Sequence, residues 1–231
     1  MTRLDQFIAT STELSRKEAK RAISAGRVRL DDEPCKSANA KISATVEVTL
    51  DGQVCTLPGE RYLMLNKPVG VVSATQDSDH PTALDLLPGD IAHTLHIAGR
   101  LDIDTTGLLL LTTDGQWSHR LTSPRVECPK TYRVSLSDPL TPEAARRLEQ
   151  GLLLRNDPSP TRPAQVRMVE DKVIELTISE GRYHQVKRML AAVGNHVEAL
   201  HRSRIGSIAL DPTLGPGEFR ELTAEEVASG G

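Results

Sequence analysis

The chain has 231 residues, enough for one large domain or a small domain beside a larger one, and at 38% hydrophobic and 26% charged it has the balance of an ordinary folded soluble protein. Its longest unbroken aliphatic run, residues 108–111, falls far short of the roughly 18 apolar residues that cross a bilayer, and Met1-Thr2-Arg3-Leu4-Asp5 lacks the apolar core of an export signal. The expectation is a cytoplasmic protein with no membrane contact. The net charge of −3 hides an asymmetry: in the first thirty residues Arg3, Arg16, Lys17, Lys20, Arg21, Arg27 and Arg29 face only Asp5, Glu13 and Glu18, a local +4 that leaves −7 for the rest. Cys35, Cys55 and Cys128 are odd in number and widely spaced, with no C-x-x-C, and are expected to be inert reduced thiols.

Residues 1–57 read as a compact helix-helix-hairpin unit. Leu4, Phe7 and Ile8 recur at helical spacing, and Ser15-Arg16-Lys17-Glu18 is a capping box, its serine and glutamate side chains satisfying N–H groups that open a helix. That helix is expected to run to Ala25 and close at Gly26, which adopts a left-handed conformation without penalty; Arg27-Val28-Arg29-Leu30 then alternates like a half-buried strand. Arg16, Lys17, Lys20 and Arg21 gather along one side of the helix while Ala19, Ala22 and Ile23 face inward. Charge alone leaves open a docking face for an anion or a merely solvated helix face. Asp51-Gly52 and Pro58-Gly59 punctuate a linker, which places a domain boundary near residue 58 and gives residues 58–231 to a second domain.

In that second part, residues 61–65 form a strand ending at Lys67-Pro68, residues 108–111 a buried strand, and residues 130–136 alternate with period two. Thr141-Pro142-Glu143 opens a helix closed by Gly151. Residues 173–178 form another strand, followed by a helix from about Tyr183 to Val193 whose Val186, Met189, Leu190 and Val193 make one apolar stripe. Strands outnumber helices and show no repeated βαβ rhythm, so the class is α+β with a largely antiparallel mixed sheet flanked by helices.

The chain has no G-x-x-x-x-G-K-[ST], no G-x-G-x-x-G after a strand and no H-E-x-x-H, which argues against nucleotide-driven, dinucleotide and zincin chemistry. His93-x-x-His96 has no accompanying ligand cluster, so no metal is expected. The dense polar stretch is Gly99-Arg100-Leu101-Asp102-Ile103-Asp104-Thr105-Thr106-Gly107, set just before a buried strand. Two carboxylates beside an arginine suit a reacting carboxylate with a cationic neighbour, although spacing alone equally allows an Asx turn with a surface ion pair. Glu180-Gly181-Arg182-Tyr183-His184-Gln185-Val186-Lys187-Arg188 would place His184, Lys187 and Arg188 opposite the apolar stripe, facing an anionic ligand or only solvent. Tyr132, on one strand face with Val134 and Leu136, reads by pattern as a core tyrosine.

The first segment resembles the S4 RNA-binding module through Arg3-Leu4-Asp5, Ser15-Arg16-Lys17-Glu18-Ala19, Ile23 and Gly26-Arg27-Val28, departing from it where Asp31-Asp32 replaces the usual Asn-Gly or Asp-Gly turn and Ala44-Thr45 the usual Gly-Asp. The remainder resembles the pseudouridine synthase superfamily, in particular its RsuA family, through Leu65-Asn66-Lys67-Pro68-Val69-Gly70, Gly99-Arg100-Leu101-Asp102-Ile103-Asp104-Thr105-Thr106-Gly107-Leu108, Lys130-Thr131-Tyr132 and Gly181-Arg182-Tyr183-His184-Gln185-Val186-Lys187-Arg188-Met189. The resemblance implies that Asp102 is the nucleophilic carboxylate, with Asp104 supporting the turn, that Tyr132 stacks on the uracil and helps remove its C5 proton, and that Lys187 and Arg100 are the cations beside Asp102. Lys67-Pro68 and Gly70 would shape the loop beneath the site. RNA would be held by Arg3, Arg16, Lys17, Lys20, Arg21 and Arg27 in the first domain and by Arg182, His184, Gln185 and Arg188 in the second.

Isomerising uridine breaks C1′–N1, turns the base and forms C1′–C5 with no net redox change, so no cofactor is implied. The resemblance implies conversion of one uridine of 16S (small-subunit) ribosomal RNA, uridine 516, either in free RNA or in a ribonucleoprotein assembly intermediate. With no long apolar exposed stripe in the sequence to demand a partner, a monomer is expected. The rivals are a sibling acting on large-subunit RNA, disfavoured by the lack of a long Lys/Arg-rich extension after Leu222-Thr223-Ala224-Glu225-Glu226, and a non-catalytic ribosome-assembly factor.

Overall fold

The computed structural model describes residues 2–43, 46–56 and 59–230. Ala44-Thr45 and Pro58, which bear on the S4 comparison and the linker, lie outside the described residues. The chain divides into two compact units, residues 1–60 and 61–231.

The first unit runs β1 (Thr2–Arg3), α1 (Leu4–Ser11), α2 (Arg16–Ser24), β2 (Val28–Leu30), β3 (Glu33–Pro34), β4 (Lys41–Ile42), β5 (Val48–Leu50) and β6 (Gln53–Val54). The capping box forms as its sequence predicts, with the Ser15 side chain accepting from the Glu18 amide and the Glu18 carboxylate accepting from the Ser15 amide. The inward side of α2 packs Ala19 and Ile23 against Leu4, Ile8, Val28, Ile42 and Val48 in a small core of their own. Asp31 and Asp32 both take positive φ, 45° and 67°, so the hairpin between β2 and β3 forms without glycine; Asp31 accepts the Glu47 amide at 2.9 Å, and a short polar side chain tolerates this region better than most. Asp51-Gly52 is not linker. It is the tight turn joining β5 to β6, with φ of 52° and 80°.

The second unit is α+β. Its elements are β7 (Tyr62–Lys67), α3 (Gly89–Ala92), β8 (His96–Ala98), β9 (Thr106–Thr112), α4 (Gly115–Thr122), β10 (Lys130–Leu136), α5 (Pro142–Gln150), β11 (Gln165–Glu170), β12 (Val173–Ile178), α6 (Gln185–Ala192), β13 (Val197–Ile205), β14 (Ile208–Ala209), β15 (Phe219–Glu221) and α7 (Ala224–Ser229). The sheet order is β11-β12-β10-β13-β9-β7-β15, with β14 on β13 and β8 on β9. Every pairing is antiparallel except β13 with β9.

Period-two alternation splits the sheet into two cores. Leu63, Leu65, Leu109, Leu111, Val134, Leu176 and Leu200 meet Val186, Met189 and Leu190 of α6 on one face; Met64, Leu108 and Leu110 meet Trp117, Leu121, Ile205 and Ile208 on the other. Trp117 stands edge-on to Tyr62 and donates its indole N–H to the Val227 carbonyl, so α7 closes this second core. Gly151 closes α5 as expected. At φ 81° and ψ 149° it makes room for the Thr161 carbonyl, which would lie 2.2 Å from a Cβ there. α6, expected from about Tyr183, begins at Gln185, because His184 adopts φ 46°, ψ 37° and stays outside the helix.

The parallel contact needs a bare backbone. At Gly107, φ is +102° and a Cβ would lie 2.3 Å from the Arg202 carbonyl oxygen. Gly107→Ala is therefore expected to cost more than the roughly 1–3 kcal/mol of backbone strain alone, read as a lowered urea midpoint. Gly115→Ala, with open space around it in the first turn of α4, is expected to be neutral or stabilising by about half a kcal/mol.

Candidate active site

The loop between β8 and β9 is held from three sides by buried groups. Arg202 of β13, 1% exposed, donates to the carbonyls of Gly99 (2.9 Å), Arg100 (3.2 Å) and Leu108 (2.9 Å). Lys67, at the end of β7 and fully buried, donates to the Pro68 carbonyl at 2.8 Å and approaches the Ile103 carbonyl at 3.5 Å, which also accepts the Gly70 amide. Ser73, itself buried, accepts the Leu101 amide at 3.0 Å. Leu101 and Thr105 point into the protein, and the Thr105 amide closes a turn on the Asp102 carbonyl. Between these anchors Asp102 stays half-buried, its side chain 31% exposed, while Ile103 and Asp104 stand further out.

The helix α6 supplies the other half of the site. Val186, Met189 and Leu190 bury its apolar stripe, each worth about 1.5–3 kcal/mol, and so turn Lys187 toward the loop. Lys187 Nζ lies 3.2 Å from Asp102 Oδ2 and 2.6 Å from Asp104 Oδ1, while His184 Nε2 lies 3.5 Å from Asp102 Oδ1. Asp104 thus takes a direct share of Lys187 instead of merely supporting the turn. The bond from Lys187 holds the Asp104 carboxyl below its ordinary range against the effect of burial. Burial works to lower Lys187, but its bonds to Asp104 and Asp102 outweigh that and raise it.

Arg100 is not the second cation at Asp102. Its side chain is exposed and makes no ion pair with Asp102 among the described residues; its backbone carbonyl is what the site uses, as an acceptor for Arg202. Tyr132, 8% exposed, lies in the same core as Leu101 and Val186, the chain neighbours of Asp102 and near neighbour of Lys187. Three of the four expected RNA contacts in the last motif turn inward. Arg182 donates to Asp157, Glu180 and the carbonyls of Ser159 and Pro160; Arg188 donates to Asp157 and the carbonyls of Arg155 and Tyr183; Gln185 is buried against Glu180 and Met189. Asp157, which pattern reading passes over, joins both arginines and is held well down by them. This bracing lies on both sides of His184, whose left-handed conformation costs a non-glycine residue about 1–2 kcal/mol.

In the first unit the cations are arranged by one buried acid. Asp5, with no exposed side-chain surface, pairs with Arg3 (3.0 Å), Arg16 (3.4 Å) and Lys20 (3.9 Å). Arg27 pairs with Asp51, whereas Lys17 and Arg21 are exposed and carry no ion pair among the described residues. The five half-exposed or exposed cations Arg3, Arg16, Lys17, Lys20 and Arg21 suit a phosphate backbone. His93 and His96 are both exposed, and no three metal-ligating side chains converge among the described residues.

A carboxylate set between an ammonium and an imidazole, with one side open, can approach an electron-poor carbon of a bound ligand. Comparison with known proteins identifies the frame around it. The family model of RNA pseudouridylate synthases matches residues 61–192, and that of the S4 domain matches residues 2–48. Ribosomal small subunit pseudouridine synthase A of Yersinia pestis is 53% identical over 230 residues, covering 99% of this chain and 98% of that protein. The protein of the same name from Escherichia coli K12 is 53% identical over 228 residues, covering 98% and 99%, and that of Haemophilus influenzae 48% over 226 residues, covering 97% of each. A crystal structure of a pseudouridylate synthase, 45% identical, superposes over the whole of both chains with a TM-score of 0.74.

Sequence reading understated Lys67 and missed Arg202. Burial lowers Lys67 to about 8, opposed by Asp104 and Asp102. The unfolded chain gives up the same proton near pH 10.4, so between about pH 8 and 10.4 it holds more protons than the folded chain, and raising the pH through that window favours the fold. Relative to Lys67→Met, wild-type stability in urea is therefore expected to climb across the window and to be flat below it; a constant difference would mean that the ammonium is not desolvated.

Proposed function

The chain belongs to the RNA pseudouridylate synthase family and carries an S4 domain, and from that membership we propose that it converts one uridine of 16S (small-subunit) ribosomal RNA, uridine 516, to pseudouridine with Asp102 as the nucleophile. The observation that carries the reading is the Asp102 carboxylate, presented at a braced turn 3.2 Å from Lys187, in a chain about half identical over its full length to proteins named for the small subunit. No cofactor is needed, because the reaction only exchanges a C1′–N1 bond for a C1′–C5 bond, with the proton lost from C5 balanced by the one gained at N1.

Loosening the glycosidic bond builds positive charge on the sugar, as in glycoside hydrolysis, and a carboxylate beneath it stabilises or captures that carbon. Lys187 and His184 orient the two oxygens of Asp102, and Asp104 shares the charge of Lys187. Tyr132 is proposed to stack on the uracil and assist removal of the C5 proton. Arg100 is left out of the catalytic set. The uridine must leave its stack, a cost of a few kcal/mol that phosphate contacts from Arg3, Arg16, Lys17, Lys20 and Arg21 help to offset. The protein is proposed to act as a monomer in the cytoplasm, on the RNA itself or on an assembly intermediate.

The deciding experiment incubates the purified protein with ribosomal RNA from cells lacking it, naked and with ribosomal proteins, and maps pseudouridine base by base. One new site in small-subunit RNA is expected; a site in large-subunit RNA would keep the chemistry and change the substrate, and none in either would overturn the reading. Asp102→Asn is expected to bind RNA and lose at least about a thousandfold in rate. Lys187→Met, which removes a charge-assisted bond worth about 1.5–3 kcal/mol, should lose about ten- to a hundredfold. Because Lys17 and Arg21 carry no ion pair among the described residues, replacing both with Gln should leave the fold intact and flatten the salt slope of RNA affinity by about 1.5. An unchanged slope would move the docking face elsewhere.

A further inference from the structure

The chain has only six aromatic side chains, and such rings are ordinarily invested in cores. Trp117 and Tyr132 are buried and Phe7, Tyr62 and Phe219 are partly so. Tyr183 is 77% exposed. Its ring lies against the imidazole of His184, with centroids 3.8 Å apart and planes 18° from parallel, and that same imidazole approaches Asp102. With one face covered by His184, the solvent-facing surface of the ring is its other face and its edge.

The chain spends structure on this placement. His184 holds a left-handed backbone that a non-glycine residue rarely adopts, the Tyr183 carbonyl accepts from Arg188, and Arg188 and Arg182 are both tied to Asp157. A rigid, preorganised apolar ring is thus kept in water at the rim of the reactive carboxylate. Nothing in the apolar cores uses it, and the proposed chemistry gives it no role.

We propose, resting on the reading of the chain as a synthase of ribosomal RNA, that the free face of Tyr183 is a stacking platform for the RNA base next to the target uridine. Extracting the uridine strips its neighbour of a stacking partner, and an aromatic ring at the rim restores one. Stacking of this kind is tolerant of base identity, since every base offers a π face, so the platform holds the strand in place while Asp102 acts on the uridine. The phenolic hydroxyl is not required; the ring is.

The test compares wild type, Tyr183→Phe, Tyr183→Leu and Tyr183→Ala. The side chain is exposed, so all four are expected to fold alike, which thermal melts check. Filter binding on naked small- and large-subunit RNA and steady-state conversion are then measured side by side. Phe is expected to match wild type, while Leu and Ala should weaken binding about tenfold and raise KM by a similar factor with kcat within about twofold. An abasic nucleotide beside the target uridine should abolish the difference between wild type and Ala, because the two changes remove the same contact. Equal affinities throughout the series would overturn the proposal. So would a loss in Phe equal to that in Ala, or a fall in kcat with affinity intact, which would assign the ring to setting His184 against Asp102. If wild type makes no pseudouridine in small-subunit RNA the substrate reading fails separately, and the affinity series still decides the platform.

Discussion

The shape of the site depends on two buried cations whose hydrogen bonds are spent on backbone carbonyls. Arg202 grips residues 99, 100 and 108 while Lys67 approaches residue 103, so the turn carrying Asp102 is suspended between them. Burying a charge is costly unless its donors are satisfied, and these carbonyls are what satisfy them. The arrangement reaches beyond the loop. Lys67 lies opposite Gly107 in the antiparallel pairing of β7 with β9, and Gly107 lies opposite Arg202 in the parallel pairing of β9 with β13. Three neighbouring strands therefore deliver the two cations and the gap between them, and the one parallel strand pairing among the described residues falls where the loop needs its brace. The aspartates of the turn in return favour the charged form of Lys67 against the effect of its burial.

The first unit uses the same device with the signs reversed. There a buried carboxylate, Asp5, collects Arg3, Arg16 and Lys20 from β1 and α2 and holds them at the surface. Long basic side chains lose much conformational freedom when they bind phosphate, and an internal counter-charge pays part of that loss in advance. Lys17 and Arg21 are not gathered this way and carry no ion pair among the described residues.

What the sequence made legible was local. Strand periodicity in residues 130–136 and 173–178 matches β10 and β12 to the residue, and the Ser15 capping box and the Thr141 cap sit where their patterns predict. The motifs around Asp102 and Lys187 converge, although 85 residues separate the two. What stayed hidden was made by distant pairings. Arg182 and Arg188 look solvated in a basic stretch until Asp157, 25 and 31 residues away, turns them inward. Arg100 looked like a partner for Asp102 because it is two residues off, yet neighbours in a turn project apart, and the loop employs only its carbonyl. Lys67 and Arg202 each occupy a strand position where alternation reads simply as polar, and only the sheet order reveals both as interior. The helix expected from about Tyr183 starts two residues later, at Gln185, because the local pattern does not reveal that His184 adopts a left-handed backbone.

The two cores on opposite faces of the sheet carry one further consequence. The sole tryptophan, Trp117, is sealed in the core that contains neither Leu101, Tyr132 nor Val186, and its indole is bonded to the last helix. Its emission is thus a built-in gauge of the side of the sheet turned away from the carboxylate. Ligands that only fill the site should leave that fluorescence quiet, and a spectral change on binding would signal a deformation transmitted through the strands themselves.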